Sequence, residues 1–224
     1  MKPVFLALLL VCCASNMAGA QSPKVADGSI VYVWNGNAVV QRYTHSKITH
    51  VGMVINIEGE PWFYEAELPK VRKMKLSEYV EKIASENVDQ ANGDKLGLFV
   101  MQPKVPYADS EIKLIHSHLD TQIGRRYSLR GYVHEKRMTS GIHCSALVAD
   151  ALNRSGRYKF QNTDSINPCA LVLSVKKSYS NFQVAIRDRP RKSLNNRWAN
   201  RAMMATFSCE ESIREMMHWF LPIQ

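Results

Sequence analysis

The stretch from Thr49 to Glu67 constrains the fold more than any other part of this 224-residue chain. Thr49 to Ile57 reads THVGMVINI, a β-rich run of strand length. Glu58-Gly59-Glu60-Pro61 is turn chemistry, and Trp62 to Glu67 (WFYEAE) is a returning strand. Two such runs joined by a short turn make a β-hairpin, and a hairpin fixes which side chains share a face. A register pairing residue 52 with 65, or 50 with 67, puts His50 and Glu65 on one face. Parity alone does not separate Glu65 from Glu67, because both odd positions lie on that face. Composition agrees with a folded domain: 46% hydrophobic and 22% charged residues exclude a disordered chain, and 11 Gly with 9 Pro exclude a collagen-like repeat.

The rest of the chain supplies further strands and several helices. Ser29 to Val33 follows Asp27-Gly28 as a short β-rich run, and Leu96 to Met101 reads as another core strand after an Asn92-Gly93-Asp94 turn. Leu76 to Ala84 carries Leu76, Tyr79, Val80 and Ile83 at helical spacing. Asp109 to Ile123 reads as a helix with Asp109 as N-cap, Ile112, Ile115 and Leu119 on one face, and Gly124 as terminator. Arg125 to Ile142 is loop-like. Cys144 to Leu152 is helical again, and Gly156 marks its end. Asn181 to Ile186 reads as a strand. Ser208 with Glu211 is a capping-box signature for a last helix to about Leu221. This mixed order indicates an α+β fold, an antiparallel sheet packed on helices, rather than a doubly wound sheet.

The first 20 residues read as a secretory signal peptide. Lys2 gives a positive start, and Val4 to Ala14 is an apolar run too short to span a membrane. Ala18-Gly19-Ala20 is a small-x-small cleavage site. Val11 and Cys12, the residues before Cys12 and Cys13, are not the usual predecessor of a lipidated cysteine. The expected mature protein is periplasmic or extracellular, with no transmembrane helix. It keeps Cys144, Cys169 and Cys209, an odd number for an oxidising compartment. A Cys169–Cys209 bridge, contributing about 4 kcal/mol in the chain-entropy account, leaves Cys144 as the free thiol.

Cys144 is therefore the first residue to question. It opens a predicted helix, where unpaired backbone N–H groups and the helix dipole favour a thiolate. The same N–H groups can hold the oxyanion of a tetrahedral intermediate. The plainer reading is a small buried hydrophobe. His50 is the candidate base, and a carboxylate beside it can fix its tautomer and stabilise its charged form.

Five segments recur in one order: Gly28-Ser29-Ile30-Val31, Thr49-His50-Val51-Gly52-Met53-Val54, Tyr64-Glu65-Ala66, Gly124-Arg125-Arg126-Tyr127-Ser128 and His143-Cys144-Ser145-Ala146-Leu147-Val148. The set resembles the circularly permuted papain-like family of YaeF and YiiX, a branch of the NlpC-type cysteine hydrolases. The resemblance covers about residues 27 to 156. It implies a papain-type core in which His and acid precede Cys in the chain. It further implies Cys144 as nucleophile, His50 as base and Glu65, in preference to Glu67, as orienting acid. Ser29, Ser128 and Ala146 depart from the family's Asp, Asp and Glu. None of the three is a triad position.

Tyr127 is a candidate substrate-binding residue beside that site, with core packing as the alternative. His116 and His118 are two apart on a predicted helix, point to different faces and make a poor metal pair. With no CxxC or HExxH motif, neither a metal nor a cofactor is expected. The basic balance, net charge +9, suits an anionic envelope surface, and the residues from Arg187 to Arg201 are rich in arginine. Aromatics do not interleave with those charges, which disfavours nucleic acid. Three units are expected: a signal peptide at 1–20, a catalytic domain at 21–176 and a basic extension with a terminal helix at 177–224. The expected activity is that of an exported cysteine hydrolase, amidase- or peptidase-like, on a peptide, peptidoglycan peptide or acyl amide. The alternatives are a lipid-directed acyltransferase and a non-catalytic envelope-binding module.

Overall fold

The computed structural model describes residues 25–37, 40–41, 44–86, 96–129 and 141–184. In chain order these form β1 (Ser29–Trp34), β2 (Ile48–Ile57), β3 (Glu60–Glu67), β4 (Lys70–Lys75), α1 (Leu76–Glu86), β5 (Gly97–Pro103), α2 (Asp109–Gln122), α3 (Cys144–Arg154), α4 (Pro168–Val175) and β6 (Tyr179–Val184). The strands make one six-stranded sheet in the order β4-β3-β2-β1-β5-β6, and every neighbouring pair is antiparallel.

The hairpin register is the one the alternation calls for: Gly52 lies opposite Glu65. The turn is tighter than the sequence suggests. Glu58 (φ 53°) and Gly59 (φ 81°) alone make it, both left-handed, as a two-residue turn that matches strand twist requires. Glu60 and Pro61 therefore belong to β3. Pro61 is tolerated because β4 ends opposite Trp62, so no outer strand asks for the missing N–H. At Gly52 an added Cβ would stand 2.3 Å from the Phe63 ring. It would also stand 2.6 Å from the Tyr64 carbonyl, so only glycine fits there.

The sheet buries both faces. One side packs Val31, Val33, Val54, Phe63, Leu98 and Val100 against Leu76, Tyr79 and Ile83 of α1. The other packs Ile30, Val51, Met53 and Ile55 against Ile115 and Leu119 of α2, Leu147 and Val148 of α3, and Leu171 of α4. Helix α3 is buried almost all round, from Cys144 through Ala149 and again at Ala151 and Leu152. Removing Leu147 and Leu152 from water contributes about 1.5–3 kcal/mol each, which anchors the helix that begins at Cys144.

Several expectations shift. The N-cap of α2 is Ala108, whose N–H donates to Glu111 at 2.7 Å, and Asp109 sits inside the first turn beside the helix's positive end. The last strand of the described residues begins at Tyr179, two residues earlier than expected, and is described to Val184. Because it pairs along β5, the sheet domain runs past the boundary drawn at residue 176. Among the described residues no helix is long and apolar enough to cross a membrane. The signal peptide, the Asn92-Gly93-Asp94 turn, the basic stretch from Arg187 to Arg201, the helix after Ser208, and Cys209 with its bridge to Cys169 lie outside the described residues.

Candidate active site

His50 stands at an irregularity in the sheet. Val33 pairs with His50 and Trp34 with Ile48, so Thr49 is an extra residue, a β-bulge. Bulges re-aim side chains. Here Thr49 also fastens the local chain: its hydroxyl donates to the Val33 carbonyl (3.3 Å) and accepts from Gly36 N–H (3.0 Å). The ring next door is thus held on both sides of its backbone.

The His50 Nε2 meets Glu65 Oε2 at 2.7 Å. The hairpin register, continued by two residues, would put Glu67 directly opposite His50. Instead Glu65, the diagonal neighbour, takes the ring. Glu67 turns to Arg72 and to Lys82 of α1. Contact thus separates the two carboxylates that parity could not. Glu65 is fully buried, and its second oxygen, Oε1, accepts from Arg72 Nε (2.9 Å) and Nη2 (2.7 Å). Arg72 lies directly across from Glu65 in the β3–β4 pairing.

Cys144 comes from the other layer. It is buried at the first position of α3, near enough to His50 that the thiol raises the proton affinity of the imidazole. Since Nε2 is engaged by Glu65, Nδ1 is the ring atom left for the thiol. The donors of a helix's first turn have no acceptor within the helix; of these, the Ala146 N–H is taken by the cap and the Cys144 N–H lies at the thiol itself.

The helix start is held by His143 and Ser145. His143 is the N-cap: Nδ1 accepts from Ala146 N–H at 3.3 Å, while Nε2–H donates to the Asp164 carbonyl at 2.7 Å. Ser145 Oγ donates to the Ile166 carbonyl at 2.7 Å. These bonds pin the start of α3, and with it Cys144, to the turn before α4. The sequence motifs give His143 no role beyond preceding Cys144. Its place just before a helix start was the available signal.

The two imidazoles have opposite electrostatics. Burial alone pushes the His50 pKa down, but hydrogen bonds and charge from Cys144 and Glu65 outweigh it and hold the value well above the ordinary 6.5. His143 is lowered by burial, against partial compensation from Asp164. The Glu65 carboxyl lies well below its usual range. Burial opposes its charge, but His50, Lys82 and Arg72 together prevail.

Tyr127 is half-buried against the α2–α4 side of the core. Its N–H donates to the Pro69 carbonyl at 2.9 Å, and its backbone bridges to Ile142, two residues before Cys144. Its backbone is thereby tied to the segment that leads into Cys144. Cys169 is half-buried in the first turn of α4. His116 approaches Asp120 at 3.2 Å within α2.

Fold and site together define an α+β protein with a buried cysteine–histidine–glutamate cluster at the junction of a hairpin and a helix start. No protein-family model and no curated protein matches the chain. Among solved structures it is similar to the crystal structure of metalloprotein yiiX from Escherichia coli O157:H7, DUF1105, at 15% sequence identity and a TM-score of 0.47, over 73% of this chain and 98% of that one.

Proposed function

We propose that this chain is a thiol-dependent hydrolase, amidase- or peptidase-like, with a circularly permuted papain-like core and a working place outside the cytoplasm. The observation that carries the reading is one imidazole held between a buried carboxylate and a cysteine at a helix start. The ordered motifs around His50, Glu65, Tyr127 and Cys144 support it.

In this mechanism His50 takes the thiol proton, and Cys144 Sγ adds to the substrate's carbonyl carbon. The Cys144 N–H, at the start of α3, contributes to holding the oxyanion. His50 then gives its proton to the leaving nitrogen as the C–N bond breaks, leaving a thioester on Cys144. Water, deprotonated by His50, attacks that thioester and releases the acid and the thiol. Glu65 keeps the ring oriented and its charged form stable throughout. The candidate substrates are a peptide, a peptidoglycan peptide and an acyl amide.

The test is labelling of the purified protein by an electrophilic thiol probe, read by intact mass, together with assays on those three substrate classes. Cys144 is expected to label first, with loss of labelling in Cys144→Ala and strong slowing in His50→Ala. A Cys144 that reacts equally fast with and without His50 overturns the reading.

A further inference from the structure

The cluster around His50 does not end at Glu65. Glu65 is one of the few fully buried charged residues of the core, and only one of its oxygens faces the imidazole. A buried carboxylate with a free oxygen is costly and free to rotate, and it can take up a proton instead. The second oxygen is occupied on both counts. Arg72 grips Oε1 through two nitrogens, and its guanidinium also reaches Glu67, which Lys82 holds from α1. The result is a row running Cys144, His50, Glu65, Arg72, Glu67, Lys82, drawn from α3, β2, β3, β4, β3 and α1 in turn. Tyr79 of α1 flanks it, its ring 6.5 Å from that of His50.

We propose that Arg72 is a positioning residue for the Cys144–His50 pair: its two-pronged grip on Glu65 fixes the carboxylate's orientation and sets the proton affinity of His50. The inference rests on the thiol-hydrolase reading above. Its physics has two parts. The first is geometric. A carboxylate with both oxygens bound cannot swing, so the imidazole it holds keeps one plane. Lysine cannot supply this, because it offers a point charge without a fork. The second is electrostatic. The Arg72 charge, one carboxylate away, partly offsets the field of Glu65 at the ring. With Arg72 gone, the negative charges of Glu65 and Glu67 act on His50 less opposed, and the ring holds its proton to higher pH. The remaining charged and titratable groups facing the ring or the row, Cys144, Lys82 and Tyr79, stay in place in this comparison.

The experiment uses the full chain and two substitutions. His50 is followed by NMR titration of its imidazole, assigned by the signal lost in His50→Gln. Cys144 is followed by its iodoacetamide alkylation rate. In Arg72→Gln the His50 midpoint is expected to rise by about one pH unit. In Arg72→Lys the charge remains, so the midpoint is expected within about 0.3 of a unit of wild type, while alkylation slows about threefold or more as the fork is lost. A folded Arg72→Gln with an unmoved midpoint overturns the proposal. If Arg72→Gln does not fold, Arg72→Lys decides alone: wild-type alkylation there overturns it. His50→Ala separates the two readings. Alkylation of the unsubstituted protein that ignores His50→Ala sinks the thiol-hydrolase reading itself. Alkylation that depends on His50 but not on Arg72 sinks only the role assigned to Arg72.

Discussion

Two histidines adjoin Cys144, one in space and one in sequence, and the protein uses them in opposite ways. His50 sits between a thiol and a buried carboxylate, and both raise its affinity for a proton. His143 sits between a carbonyl and a helix N–H, and burial keeps it neutral. A neutral ring donates through one nitrogen and accepts through the other, which is what an N-cap needs. A ring that carries charge easily is what proton transfer needs. Nearness to Cys144 does not decide what a ring can do; the partners of its two nitrogens do.

Exchanging what each ring can do should break this comparison. The largest expected effect belongs to His50→Ala: turnover on whichever amide substrate is identified falls about 10⁴-fold, and iodoacetamide alkylation of Cys144 at pH 6 slows steeply. His143→Asn, which keeps an acceptor at the N-cap, should change turnover less than about tenfold. Equal losses in the two variants would erase the distinction.

Next comes the carboxylate. Glu65→Gln keeps the shape and removes the charge, and a loss of about 10²-fold or more is expected with the fold intact by circular dichroism. Glu67→Gln should cost no more than about threefold, since Glu67 reaches His50 only through Arg72 and Glu65. The reverse ranking would transfer the acid's role to Glu67.

Smaller effects concern stability. His143→Ala removes a cap and leaves Ala146 N–H and the Asp164 carbonyl without that partner, at an expected cost of about 1–3 kcal/mol in urea unfolding. His143→Asn should recover part of it.

The smallest is a difference in pH dependence between the two rings. His50 has a raised folded pKa, so its stabilisation is complete below the unfolded value of 6.5 and is lost as pH rises through the folded value. His143 has a lowered one, so its contribution is present above 6.5 and is lost as pH falls through the folded value. Urea midpoints measured against pH should therefore flatten on the alkaline side in His50→Gln and on the acid side in His143→Asn. A common direction for both would contradict the assigned partners.

Much of this was legible in the residues, and the gaps have physical causes. The hairpin of β2 and β3 was readable because alternation with period two and an Glu-Gly turn admit few registers. The helix starting at Cys144 was readable from its apolar spacing. Strand β4 was not: Lys70, Arg72, Lys73 and Lys75 crowd out an alternating signal, as suits a charged strand at a sheet's margin. With β4 unseen, Arg72 could not be placed across from Glu65. Helix α4, Pro168–Val175, was missed because PCALVLSV is too short and too uniformly apolar to show a period. The choice between Glu65 and Glu67 turned on a diagonal contact beside a bulge, and neither the bulge nor the rotamer is written in residue order.

The order in which the cluster's members occur along the chain has a consequence for how the cluster is assembled. His50 and Glu65 are 15 residues apart, and Glu65 and Arg72 only 7. These partners close through neighbouring strands, and loops of that length form early and cheaply. Cys144 arrives from a distant part of the chain, on a helix whose start is tied to the turn at Asp164 and Ile166. The His50–Glu65–Arg72 contacts are thus local in the chain, and the Cys144 contact is not. Until α3 is seated on the sheet, His50 and Glu65 have no thiol beside them and Cys144 has no imidazole, so the cluster is complete only when the later segments have packed onto the earlier ones.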